Sequence, residues 1–190
     1  MTQNKKEVEI KFLVADRKAL ERKLRAAGFR RVTRRMHEAN TLYDLPGSPL
    51  RQRGELLRLR RYGKAWTLTH KAAAMPGRHK IRMETETEVA NGAQMQAILR
   101  ALGFQPTFCY EKFRSHWGDG KGHVLMDETP IGDVAEIEGA PRWIDRTAKR
   151  LGVQQQQYIT ASYAGLFYDW KARTGSAATE MTFAAVQRKR

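Results

Sequence analysis

Glu7-Val8-Glu9-Ile10-Lys11-Phe12 alternates charged with apolar residues. Side chains alternate along a strand, so Glu7, Glu9 and Lys11 point to one side and Val8, Ile10 and Phe12 to the other. One such strand is what any half-solvated antiparallel sheet presents. Here the pattern returns along the whole chain: in Leu57-Arg58-Leu59-Arg60, Leu68-Thr69-His70-Lys71, residues 81–89, Lys112-Phe113-Arg114 and Ala135-Glu136-Ile137-Glu138. Carboxylates and bases keep to alternate positions throughout, which is the mark of a sheet with a dedicated charged face.

Punctuation between these runs orders the elements. Asp16 can cap a helix over 17–27 whose apolar stripe is Leu20, Leu24 and Ala27 and whose stop is Gly28. A long Arg-rich strand over 29–43 follows. The proline- and glycine-rich stretch 44–54 reads as a loop. Strands over 55–62 and 65–71 turn at Gly63-Lys64. The segment 72–78, with Pro76-Gly77, reads as a mobile lid before a strand over 79–89. A helix over 93–101 then ends at Gly103-Phe104. That repeats, in the second half, the Glu-x-Glu, helix, Ala-Ala-Gly-Phe order of the first (Glu7 to Phe29), so the chain reads as two similar halves of one closed sheet. Strands over 107–117, 121–127 and 133–138 complete the set. Helices over 141–151 and 160–170 and a basic tail over 171–190, loosely packed, close the chain. Short turns favour antiparallel pairing, and about eight strands suffice to close a barrel. The expected fold is therefore α+β: an eight-stranded antiparallel barrel with helices outside, in a single domain over 1–170.

In such a barrel Val8, Ile10, Leu57, Leu59, Trp66, Leu68, Ile81, Met83 and Ile137 face outward and the charges face the lumen. A dry lumen so charged would be unstable, so it is expected to be wet and to bind a ligand. The net charge of +15 (35 Lys+Arg against 20 Asp+Glu) calls for an anionic partner. Carboxylates at i and i+2 on neighbouring strands suit a hard divalent cation such as Mg²⁺ or Mn²⁺. The inward candidates are Glu7, Glu9, Asp127, Glu136 and Glu138, with Glu84, Glu86 and Glu88 on another strand. Bases at the same spacing (Lys11, Arg58, Arg60, Lys71, Arg82, Lys112 and Arg114) suit phosphate oxygens. Together they fit a metal-bound polyphosphate. A network of cross-strand ion pairs is the plainer reading, and it serves poorly for a dozen charges.

Glu7-Val8-Glu9-Ile10-Lys11 resembles the Glu-x-Glu-x-Lys signature of the CYTH, or triphosphate tunnel metalloenzyme, superfamily. Tyr43-Asp44, residues 56–60, Leu68-Thr69-His70-Lys71, the acidic strand around Glu84 and Glu86, residues 111–114, Asp127 and residues 132–139 follow in the family's order. Ser162-Tyr163 before Leu166 is similar to the class IV adenylyl cyclase-like members. The resemblance implies a tunnel that binds a triphosphate with divalent metal. Glu7, Glu9, Asp127, Glu136 and Glu138 would hold the metal, and Lys11, Arg58, Arg60, Lys71, Arg82, Lys112 and Arg114 the phosphates. Lys71 paired with Tyr43 would activate the attacking water, a role that a lysine among arginines can fill when its pKa is lowered. It also suggests a homodimer.

Two reactions fit this lumen. In a triphosphatase, water attacks the terminal phosphorus of inorganic, nucleoside or thiamine triphosphate. In a class IV adenylyl cyclase, the ribose hydroxyl of ATP attacks the α-phosphorus. The complete Arg58-x-Arg60 and Glu136-x-Glu138 pairs lean toward hydrolysis. A non-catalytic nucleotide, polyphosphate or nucleic-acid binder is the rival class. It predicts aromatics interleaved with bases, which the strands lack. No histidine–cysteine spacing suggests zinc, and neither GxxxxGK[ST] nor GxGxxG occurs. Cys109 is the single cysteine. No apolar leader or span is seen, so a cytoplasmic protein is expected.

Overall fold

The computed structural model describes residues 4–186. In chain order the elements are β1 (Asn4–Val14), α1 (Arg17–Ala26), β2 (Arg30–Asp44), α2 (Pro49–Gln52), β3 (Leu56–Tyr62), β4 (Ala65–Lys71), β5 (Lys80–Val89), α3 (Gly92–Ala101), β6 (Gln105–Gly118), β7 (His123–Thr129), β8 (Gly132–Glu138), α4 (Pro141–Leu151) and α5 (Tyr163–Thr174). The strands close a barrel in the order β1-β5-β4-β3-β2-β6-β7-β8, with every pairing antiparallel. The expected eight-stranded barrel with helices outside is what forms. The expected 44–54 loop contains the short α2.

The repeat read in the sequence is structural. Exchanging β1–β4 for β5–β8 maps the strand order onto itself. The helix of each half begins and ends alike. Asp16 caps α1 by accepting from Ala19 N–H, and Asn91 caps α3 by accepting from Gln94 N–H. Gly28 and Gly103 stop the two helices with φ of 82° and 88°, a left-handed backbone that glycine adopts without a Cβ clash. The amides of Phe29 and Phe104 then turn back to the carbonyls of Leu24 and Leu99.

Three apolar clusters join the helices to the barrel, the first and third on the outer face of the wall and the second on its inner side, where Tyr110 and Tyr163 also line the cavity. The largest packs α1 and α4 on β1, β6, β7 and β8 through Ile10, Leu24, Trp117, Ile137 and Ile144. A second packs α5 on β6 through Phe108, Tyr110 and Phe167, and a third packs α3 on β3 through Leu59 and Leu99. Met83, expected under a helix, is exposed instead.

Staggered strands leave two stretches of edge, and the C-terminal part of the chain seals both. Ile159 bridges to Lys11 on β1, and Met181 to Tyr110 on β6. Met181 and Val186 are buried in the second cluster. The segment after 171 is thus no loosely packed tail as far as Val186; residues 187–190 lie outside the described ones. The 72–78 segment is likewise pinned rather than free. Arg78 and His79 donate to Asp145 on α4 at 2.7 and 2.8 Å, and Met75 N–H bonds to the Ile81 carbonyl.

Candidate active site

Register builds the lumen. Residues directly opposed on antiparallel strands share a face, and on the inner face they match acid with base except where Glu9 meets Glu138. Glu7 lies opposite Arg82, and Glu9 opposite both Lys80 and Glu138. Lys11 opposes Glu136, Lys71 opposes Glu84, Glu38 opposes Lys112 and Arg114 opposes Asp127. The cavity within the barrel has a volume of about 550 Å³. Glu7, Glu9, Lys11, Arg58, Arg60, Lys71, Arg82, Glu84, Glu86, Lys112, Arg114, Glu136 and Glu138 all line it.

Carboxylates converge at one place. Glu7, Glu9 and Glu138 bring one oxygen each within 4.8 Å of one another. Three hard oxygen donors at this spacing suit Mg²⁺ or Mn²⁺. The electrostatics fit as well: burial, and then the carboxylates of Glu136, Glu9 and Glu7, push Glu138 up to about 8. Repulsion of this kind is what a dication relieves. Burial also opposes ionisation of Glu9, yet Lys11, Lys80 and Lys71 overcome it and hold that carboxyl at about 2. Glu88, the outermost of the acidic strand, is exposed and is not part of the lining.

Bases and their counter-ions form a second group. Lys112 Nζ lies 3.0 Å from Asp127 and 3.4 Å from Glu38. Arg114 grips Asp127 through Nε and Nη2, both at 2.6 Å, and reaches Glu136 at 2.6 Å. Lys11 bridges Glu9 at 2.6 Å and Glu136 at 3.4 Å. Arg60 holds Glu86 at 3.2 Å and Thr67 at 3.1 Å. Lys71 sits between Glu7 at 2.6 Å and Glu84 at 3.2 Å. Arg82 donates Nε to the Ala72 carbonyl at 2.6 Å and Nη2 to that of Gly54, which ties it to two connections at one mouth.

Two expected site residues stand elsewhere. Asp127 has the parity of the lumen, but it is 1% exposed beneath Lys112, Arg114 and Tyr163, whose hydroxyl donates to it. It is a counter-ion below the bases, outside the carboxylate cluster. Tyr43 pairs with Leu57, whereas Arg58 and Arg60 pair with Leu42 and Asn40. The inner face of β2 therefore carries Asn40 and Leu42, and Tyr43 points outward. It packs against Leu59 and Leu99, and burial raises its hydroxyl pKa. No Lys71–Tyr43 pair forms.

The structure adds residues that the strand pattern did not single out. Glu38 is 1% exposed; burial opposes its charge, but Lys112 and Arg114 hold it far below the usual carboxylate range. Its alternation with Asn40 was visible beside the Arg-rich run. Lys80, 3.1 Å from Glu9, opens β5 one step before the quoted alternation and shares its parity. Tyr163 reaches the lumen from α5, and Lys112 Nζ stands 4.2 Å from its ring centre. No strand pattern marks a residue delivered by a helix.

The class of protein so described is a closed antiparallel barrel whose lumen holds a carboxylate cluster, which could bind a metal ion, amid paired bases. The chain belongs to the CYTH domain family, whose model matches residues 5–160. A protein of Methanocaldococcus jannaschii named "Putative adenylate cyclase" is 24% identical over 84% of this chain and 97% of its own. Among solved structures, one described as a "putative adenylate cyclase" from Vibrio parahaemolyticus superposes with a TM-score of 0.75 at 21% identity, over 87% of this chain and 99% of its own. A Hippeastrum protein, described as a "putative adenylyl cyclase" that reveals a dominant triphosphatase activity, superposes with a TM-score of 0.63 at 18% identity, over 86% of this chain and 95% of its own. No helix among the described residues is long and apolar enough to cross a membrane.

Proposed function

We propose that this chain is a divalent-metal-dependent triphosphatase that cleaves a phosphoanhydride bond of a triphosphate bound in the tunnel. The observation that carries the reading is the convergence of Glu7, Glu9 and Glu138 in one cavity with Lys11, Arg58, Arg60, Lys71, Lys112 and Arg114. Glu7, Glu9 and Glu138 would hold Mg²⁺ or Mn²⁺, which when bound neutralises phosphate oxygens and polarises the phosphorus. Arg58 and Arg60 supply planar forks and Lys11, Lys71 and Lys112 point charges, so the triphosphate is held extended between fixed donors. Catalysis of this kind is positioning and charge stabilisation. Water forms a new P–O bond at the terminal phosphorus as the bridging P–O bond breaks. The bridging oxygen leaves with the electron pair, and the water's proton passes to solvent or to a lumen base; Lys71, which donates to Glu7 and Glu84 as an ammonium, can take it only after handing its own proton to one of them.

Cyclisation of ATP is the second reading, favoured by the naming of the Methanocaldococcus and Vibrio proteins. Hydrolysis is preferred for the intact Arg58-x-Arg60 and Glu136-x-Glu138 pairs and for the activity described for the Hippeastrum protein. Orthophosphate release from inorganic triphosphate and ATP with Mg²⁺, with Mn²⁺ and with chelator tests it. Metal-dependent release lost in Glu7→Gln is expected. Metal-independent release, or none from either substrate, refutes it.

A further inference from the structure

A second cavity, of about 320 Å³, opens beside the tunnel, within the size range of small-molecule sites. Leu56, Arg82 and Ser162 line both cavities, so the two are neighbours across these side chains. Their linings differ in kind. The tunnel is charged on all sides, whereas Leu42, Leu56, Phe108 and Tyr168 give the second cavity apolar and aromatic walls. Phe108 and Tyr168 stand 6.1 Å apart between ring centres, and Arg51 lies 5.9 Å from the Tyr168 ring. Tyr168 is 45% exposed although it is a large aromatic.

Charge narrows the occupant. Asp44 is consumed by the backbone N–H groups of Leu45, Leu50 and Arg51. Glu55 is bonded by Arg53 and His70. The remaining charges in the lining are the cations Arg51 and Arg82. A cationic group is therefore disfavoured there and a neutral planar one favoured, since every base has a π-face to stack on an aromatic ring or a guanidinium. Arg82, held by the carbonyls of Ala72 and Gly54, stands at the doorway where a phosphate would meet its organic group.

Resting on the triphosphatase reading of the tunnel, we propose that the second cavity receives a neutral nucleobase. The preferred substrate is then a nucleoside triphosphate, with the sugar passing Leu56, Arg82 and Ser162, rather than inorganic triphosphate or the cationic thiamine ester. The probes are ATP, inorganic triphosphate and thiamine triphosphate. The variants are Tyr168→Ala, which removes a half-exposed ring, and Thr107→Trp, which fills the cavity from its exposed rim. The ratio of kcat/KM for ATP to that for inorganic triphosphate is expected to fall about tenfold in each variant. In the unmodified protein ATP should exceed thiamine triphosphate. Calorimetric binding of the same three compounds reads the same ratios without turnover. Binding without catalysis would sink the triphosphatase reading alone and leave this inference to the affinity ratios. Ratios unchanged by both variants, or a preference for thiamine triphosphate, would overturn the nucleobase site.

Discussion

Asp127→Asn separates a metal ligand from a buried counter-ion. The carboxylate accepts from Lys112 at 3.0 Å, from two nitrogens of Arg114 at 2.6 Å and from the Tyr163 hydroxyl, at 1% exposure. Asparagine keeps the shape but removes the charge and turns an NH₂ group toward other donors. Breaking a buried ion pair costs about 3–5 kcal/mol. Lys112 keeps Glu38 at 3.4 Å and Arg114 keeps Glu136 at 2.6 Å, so the loss should fall near the low end, about 3 kcal/mol. For a chain of this size that is a melting temperature lower by about 6–12 °C. Mn²⁺ affinity, measured by calorimetry on folded protein, should stay within about threefold, while Glu7→Gln should weaken it by about tenfold or more, because only Glu7 belongs to the cluster. Urea melts and metal titrations of the two variants decide the matter. Unchanged stability in Asp127→Asn with a metal affinity as poor as that of Glu7→Gln would show that Asp127 coordinates the ion and that its contacts below the bases are incidental.

Three further outcomes follow from named contacts. Glu138, pushed up to about 8, holds below that pH a proton that the metal must displace. Mn²⁺ affinity should therefore rise by up to about tenfold per pH unit toward pH 8 and level off above it; a flat profile over that range would refute the assignment, and Glu138→Gln should abolish the slope. On inorganic triphosphate, which has no group for the second cavity that Tyr43 lines, Tyr43→Phe should leave kcat/KM within about twofold because the ring lies outside the lumen, whereas Lys71→Ala should lower it by about 100-fold if Lys71 transfers the proton; equal losses in the two variants would restore the Lys71–Tyr43 pair. A Cβ added at Gly122 would lie 2.5 Å from the Trp143 ring, so Gly122→Ala should cost about 1–3 kcal/mol in urea unfolding through overpacking, and a neutral result would mean that the indole moves aside freely.

The alternation in β1 carried the barrel because parity on a strand is fixed: once Glu7 and Glu9 face inward, Ile10 and Phe12 must be covered from outside. The same rule placed Arg58, Arg60, Lys71 and Lys112 in the lumen without knowledge of any contact. Parity does not give depth: Asp127 is on the lumen face, yet longer side chains close over it. Tyr43 was missed by one position; the register Leu42 to Arg58, which reverses its face, depends on the partner strand. Tyr163 and Met181 enter the barrel from beyond the last strand, where local pattern carries no information on docking. The carboxylate cluster was legible as a set of candidates, but the choice of Glu138 over Glu136 rests on Arg114 and Lys11 having claimed Glu136.

Phosphorus NMR of the products formed from ATP with Mg²⁺ or Mn²⁺ tests the triphosphatase reading most directly. Orthophosphate with ADP is the predicted result, absent with chelator and in Glu7→Gln. Pyrophosphate with cyclic AMP would contradict it and assign the same lumen to cyclisation.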